Sequence, residues 1–172
     1  KILKDEPEKI KYAFGVPIKY SLKFGKIYAP NSDVEGIAAW ITSKYTNMTF
    51  WRLLWSGSLL VAMKLGSQIG KKIQQVFDVI EKDRQENMKD YQNFLYLYTL
   101  GVKPEKQGKG IGSKLVREMI DKLPSDVPIY LETETQKNVE FYERLGFKVM
   151  QKIHVPILDL PMWEMLYLNN SS

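Results

Sequence analysis

The stretch Gln107-Gly108-Lys109-Gly110-Ile111-Gly112-Ser113-Lys114 concentrates the residues whose types and spacing could do chemistry. Strand-forming residues precede it and helical apolar spacing follows it. At such a junction, backbone amides unshielded by side chains and a helix N-terminus can face a phosphate. Lys103, Lys106, Lys109 and Lys114 add four cations in or beside the loop, which suits a pyrophosphate or a ribose phosphate. The plain alternative is a solvated strand-to-helix turn. A P-loop would need G-x-x-x-x-G-K-[ST], and neither this loop nor Gly66-Ser67-Gln68-Ile69-Gly70-Lys71-Lys72 has that spacing. A dinucleotide fold is suggested by Glu132, twenty positions beyond Gly112 at the end of the next strand. It fails because the glycines run G-x-G-x-G and no second mononucleotide half follows.

Other chemistries are excluded by composition. There is no cysteine, so disulfides, thiolate metal sites and a cysteine nucleophile are impossible, and a reducing, cytoplasmic location is expected. His154 is the single histidine, so no multi-histidine metal site exists, and beside Val155 and Pro156 it reads as a packing or surface residue. No metal is expected. The net charge of +5 favours an anionic partner without choosing among a phosphorylated cofactor, nucleic acid and an acidic membrane surface. The longest apolar stretch, residues 53–63, is too short to span a bilayer, so no membrane insertion is expected. The 172 residues fit one domain. Lys1 stands where an initiator methionine would, and the expectation is a chain processed or truncated at its start.

The elements that must position the loop follow from periodicity. Residues 6–24 have helical apolar spacing weakened by Pro17, and residues 26–29 and 36–42 form a hairpin around Pro30, Asn31, Ser32 and Asp33. Residues 49–88 read as two or three helices broken near Gly57 and Gly66. Residues 93–102 read as a buried strand. Ile111, Leu115, Met119, Ile120 and Leu123 mark a helix ending before Pro124, and residues 128–133 give the next strand. A short helix over 138–145, stopped by Gly146, precedes strands over 147–152 and 163–168.

Gln107, Gly110 and Gly112 make the pattern Q-x-x-G-x-G after a strand ending Leu100-Gly101-Val102, and Asn138, Tyr142, Gly146 and Phe147 make N-x-x-x-Y-x-x-x-G-F. With both motifs in order and a strand between them, residues 97–149 resemble the acyl-CoA-binding half of the GCN5-related N-acetyltransferase (GNAT) superfamily. The resemblance implies an α/β acyl-CoA N-acyltransferase fold, a mixed central sheet flanked by helices, in a single domain over 1–172. The family's first strand and helix would precede residue 6, so the chain would begin after them. The forty helical residues over about 49–88 replace what is often a turn, and would form an acceptor-side wall or lid. Trp51, Trp55 and Met63 there read as core, with a pocket lining as the rarer alternative.

By the same resemblance, acetyl-CoA would place its pyrophosphate on the amides of Gln107, Gly108, Lys109, Gly110, Ile111 and Gly112, with Ser113 opening the helix, and its pantetheine along Leu100, Gly101 and Val102. Asn138 would contact the cofactor arm, and Tyr142 would protonate the departing thiolate, the alternative being a core aromatic beside Phe141. The amine must also lose a proton, and Glu132 is the candidate acceptor, although a strand-end residue that only pairs or caps is at least as common. The expected activity is direct transfer of an acetyl group to a small-molecule or peptide amine in a ternary complex. Two rivals stand beside it. One is a regulatory acyl-CoA-binding protein without turnover. The other is a basic nucleic-acid-binding module, disfavoured because no reader motif is present and the lysines gather at the loop. Monomer and homodimer are both left open.

Overall fold

A computed structural model describes residue 3 and residues 5–124 and 126–169. After a short 3-10 turn, α1 (Ile10–Phe24) leads into the hairpin β1 (Gly25–Tyr28) and β2 (Gly36–Thr42). Three helices follow, α2 (Phe50–Trp55), α3 (Ser58–Met63) and α4 (Ser67–Asn87). The rest alternates: β3 (Leu95–Val102), α5 (Ile111–Ile120), β4 (Ile129–Thr133), α6 (Gln136–Glu143), β5 (Lys148–Val155) and β6 (Leu160–Tyr167). The strands form one mixed sheet in the order β1-β2-β3-β4-β6-β5, with β3 and β4 as its parallel pair. Pro17 is accommodated inside α1 and is buried. The insert breaks where the glycines forecast it, Gly57 and Gly66 both holding positive φ.

Successive strand side chains alternate between the two faces. On the first face, Leu95 and Leu97 of β3 and Ile129 and Leu131 of β4 pack with Leu115, Val116 and Met119 of α5 and Val139 and Tyr142 of α6. On the second, Tyr96 and Tyr130 pack with Met88 and Phe94 at the end of the insert. A separate cluster joins Val76 and Ile80 of α4 to Val155, Leu158 and Met162. The insert's long helix and the residue that ends it thus dock on the second face.

The short helices behave otherwise. Trp51, Trp55 and Met63 are 67%, 72% and 69% exposed, which corrects the reading of them as core. α3 packs on α1 and α2 on α3, and at six residues each these helices leave those three side chains in solvent. No described helix is long and apolar enough to cross a membrane.

Two features open the centre of the sheet. β3 and β4 pair only at Leu95 with Ile129 and Tyr96 with Tyr130, and beyond these the two strands part. β4 remains paired along its whole length with β6 on its other side, so the gap is not a frayed edge. β3 also carries a bulge: Trp40 faces Leu97 while Ala39 faces Thr99, leaving Tyr98 as an extra residue. A bulge bends its strand and re-aims the side chains that follow.

Candidate active site

Two clefts approach the parted strands from opposite faces. The bulge turns both Tyr98 and Thr99 toward the insert, where they line a cleft of about 730 Å³. It returns Leu100 and Val102 to the first face, where they line a cleft of about 520 Å³ beside the glycine loop.

The loop cleft is built on α5. Gly110 is the residue before the helix and holds φ of 78°, a left-handed conformation that glycine adopts without steric cost. No side chain caps the helix, so its first amides have no intrahelical partner and open toward the cleft lined by Ile111, Gly112 and Ser113. A Cβ on Gly108 or Gly110 would meet nothing within 4 Å, which leaves backbone free for close approach. Gln107 folds back on the strand, its Nε2 donating to the Val102 carbonyl at 3.2 Å.

α6 forms the opposite wall. Thr135 Oγ1 caps it by accepting from the Asn138 amide at 3.2 Å. The Asn138 side chain donates to Thr133 Oγ1 at 3.0 Å, tying the helix start to the end of β4. Tyr142 lies one turn further, between Phe141 and Phe147 in edge-on contacts. Burial raises the Tyr142 phenol above the usual tyrosine range, so its proton is present at neutral pH.

Of the residues singled out in the sequence, Leu100, Val102, Lys106, Gln107, Gly108, Gly110, Ile111, Gly112, Ser113, Asn138 and Tyr142 come together in this cleft. Gly101 and Lys109 lie outside its lining; Gly101 alternates with Leu100 and Val102 along the strand. Three further residues complete the wall: Lys137, Phe141 and Arg144. They recur four and three positions apart, the spacing of one helix face, so the sequence did hold a signal for them.

The four loop lysines are not equivalent. Lys106 Nζ pairs with Glu35, Lys103 Nζ donates to the Asp33 carbonyl at 2.9 Å, and Lys114 lies 3.9 Å from Glu118. The Lys106 hydrogen bond, then that of Asn31, holds the Glu35 carboxyl below its ordinary range. Lys109 has no ion pair among the described residues.

Glu132 alternates with Leu131 and Thr133 and so projects onto the insert's face, where it lines the larger cleft. Its side chain is 7% exposed and fully engaged: Arg84 Nη1 reaches Oε1 at 3.3 Å and the Tyr96 hydroxyl donates to Oε2 at 2.5 Å. Arg84 comes from α4, donates also to the Thr46 carbonyl at 3.4 Å, and lies over the Tyr96 ring. Burial raises the Glu132 pKa, with Arg84 and the Tyr96 hydroxyl pulling the other way. His154, by contrast, is exposed on β5 and faces Asp159 at 3.6 Å.

A sheet whose central parallel strands part between two clefts, with an uncapped glycine-rich helix start on one side, fits the acyl-CoA transferase scaffold that the sequence resemblance implies. The profile of the acetyltransferase (GNAT) domain matches residues 56–149, and the chain belongs to that family. An uncharacterized N-acetyltransferase of Schizosaccharomyces pombe is 30% identical over 128 residues, 72% of this chain and 51% of that protein. The chain thus spans about half the length of this curated relative. Two crystal structures share the fold. The histone acetyltransferase HPA2 and related acetyltransferase of Corynebacterium glutamicum aligns with a TM-score of 0.56 at 20% identity, over 94% of this chain and 74% of that one. Arylalkylamine N-acetyltransferase 2 of Aedes aegypti aligns with a TM-score of 0.55 at 15% identity, over 81% and 71%.

Proposed function

We propose that the chain transfers an acetyl group from acetyl-CoA to the amine of a small-molecule or peptide acceptor, in one step within a ternary complex. The observation that carries this reading is the parting of β3 from β4 beyond Tyr96 and Tyr130, with a phosphate-compatible cleft on one face and an acid-bearing cleft on the other.

The residues fit the cofactor. The amides of Gly110, Ile111, Gly112 and Ser113 and the charges of Lys106, Lys137 and Arg144 in the cleft, with Lys109 beside it, hold the phosphates, while Leu100, Val102 and Phe141 give the pantetheine an apolar wall. When bound, acetyl-CoA supplies a thioester carbonyl open to attack. The acceptor nitrogen forms the new N–C bond as the C–S bond breaks. One proton must leave the nitrogen and one must reach the sulfur. Tyr142 donates the second from its neutral phenol. Glu132 takes the first, directly or through a water, and Arg84 and Tyr96 hold its carboxylate in place. Holding both reactants in one cleft system supplies the orientation that a two-substrate reaction otherwise lacks.

One observation favours a second reading, a CoA-binding protein without turnover: both Glu132 oxygens already have partners. Two measurements separate the readings. Acetyl-CoA at a hundredfold excess over its Kd should raise the melting temperature by on the order of 5 °C relative to matched salt. Free thiol should then appear only when an amine is added. Stabilisation without amine-dependent thiol release supports the second reading, and absence of saturable stabilisation overturns both.

A further inference from the structure

We propose that the acceptor is a small hydrophobic primary amine, an alkyl or arylalkyl amine, bound with its ammonium group toward Glu134 and its apolar body between α1 and α4. This names the substrate class of the larger cleft and rests on the transferase reading.

The cleft has two chemical poles. Its walls are apolar on three sides: Phe14 and Pro17 from α1, Val76 and Phe77 from α4, and Leu158 and Met162 from the β5–β6 segment. Its floor, at the parted strands, carries Glu132 and Glu134 with Tyr98 and Thr99. Among the described residues, no lysine or arginine lines the cleft. An occupant must therefore bring one cation and a hydrocarbon body.

The two carboxylates divide the work. Glu132 is held by Arg84 and Tyr96 and is nearly sealed. Glu134 lies two positions on, just past the end of β4, is exposed to the cleft, and makes no ion pair or hydrogen bond among the described residues. Its charge is free to attract an ammonium, which brings the nitrogen to the strand gap beside Glu132. Binding by Glu134 concerns the ammonium, whereas attack requires the neutral amine, so the proton passes on before the N–C bond forms.

The same poles exclude other amine classes. An α-amino acid or an amino-alkanoate would bring a carboxylate to a cleft whose described lining has two acids and no cation, the nearby Arg84 being committed to Glu132. A polyamino sugar would place hydroxyls against Val76, Phe77 and Leu158, leaving them without hydrogen-bond partners. A peptide would do the same with its amides, since Tyr98 and Thr99 are the nearest neutral polar side chains.

The test is a series of ethylamine, butylamine, hexylamine and phenethylamine, with 4-aminobutanoate and kanamycin as polar comparators. Binding is read by calorimetric titration into the CoA-bound protein and turnover by thiol release with acetyl-CoA. Affinity and kcat/KM should rise about two- to fourfold per methylene and be lowest for the comparators. Glu134→Gln should weaken hexylamine about tenfold while leaving acetyl-CoA affinity unchanged. Phe14→Ser, at a position 58% exposed and so a small risk to folding, should flatten the chain-length slope. A flat series, a preference for 4-aminobutanoate or kanamycin, or an unmoved Glu134→Gln would overturn the assignment. Failure of acetyl-CoA itself to bind would sink the transferase reading instead, and titrating the amines into the ligand-free protein would still judge the cleft, because that measurement needs no turnover.

Discussion

Glu132 of β4 and Glu164 of β6 stand directly opposite one another in the antiparallel ladder, two buried carboxyl groups on one face of the sheet. They share that space unequally. Glu132 has the Arg84 guanidinium, whereas Glu164 has, among the described residues, only the Asn87 amide on Oε2, and the Tyr130 hydroxyl stands near it but outside hydrogen-bond geometry. Burial first, and the neighbouring Glu132 charge next, push the Glu164 carboxyl up to about 7. The pair resolves its repulsion by giving the cation to one member and the proton to the other.

That arrangement predicts a pH-dependent stability. Because the folded-state pKa of Glu164 lies above that of the unfolded chain, the native state binds the extra proton. Its stabilising contribution is complete below about pH 4.5 and is lost as pH rises toward 7. Between pH 5 and pH 8 the melting temperature should fall by on the order of 5 °C from this group. In Glu164→Gln this group's share of the fall should disappear, since the amide carries no proton to lose, and any slope that remains belongs to Glu132, whose carboxyl burial also raises. Thermal denaturation of both proteins across that range checks it, and an equal slope in both would assign the titration elsewhere.

Gly110 opens α5 with a left-handed backbone beside space that a phosphate would fill. Gly110→Asp should lower acetyl-CoA affinity at least about tenfold, because its carboxylate opposes the phosphate charge at the helix start. Gly110→Asn is the control, as asparagine tolerates the left-handed region about as well and brings no charge. Calorimetric titration of both should find the loss in Asp far greater than in Asn. Unchanged affinity in a folded Gly110→Asp protein would remove the phosphate from this loop.

The loop lysines should separate by how far they are already committed. Lys109→Ala should weaken CoA three- to tenfold, with the difference shrinking at high salt as an exposed charge contact requires. Lys106→Ala should cost less, since its ammonium already pairs with Glu35. Repeating the titrations with the analogue lacking the ribose 3′-phosphate locates the contact: a loss confined to CoA places Lys109 on that phosphate, and an equal loss places it on the pyrophosphate.

The sequence discloses the glycine-loop cleft far more fully than the larger cleft. The loop, Asn138 and Tyr142 fall within one strand-helix-strand-helix succession, where spacing along the chain translates directly into spacing in space. Even the insert's breaks at Gly57 and Gly66 were readable, because glycine punctuates helices locally. Arg84 and Glu132 meet across 48 residues, and Asn87 and Glu164 across 77, so no local pattern could announce either contact. The bulge at Tyr98 is equally silent, being a mismatch between two strands rather than a property of one. Trp51 and Trp55 misled for the opposite reason: helical aromatic spacing forecasts burial, but burial needs a partner surface that periodicity does not contain.

Tyr142 offers the sharpest test, because one hydroxyl is assigned one task. Tyr142→Phe keeps the ring between Phe141 and Phe147 and leaves the Phe147 and Leu145 amides donating to the residue-142 carbonyl, so the fold loses nothing but the phenol oxygen. Cofactor affinity should hold for the same reason, since the apolar wall of the cleft is unchanged. If the hydroxyl protonates the departing thiolate, kcat should fall about a hundredfold or more with KM for acetyl-CoA nearly unmoved. The loss should be smaller for a thioester analogue whose leaving thiol has a lower pKa, because a better leaving group needs less protonation. That leaving-group dependence distinguishes proton donation from a packing defect, which would slow all thioesters alike. Wild-type turnover in the variant would return Tyr142 to the role of a core aromatic and assign the proton to water.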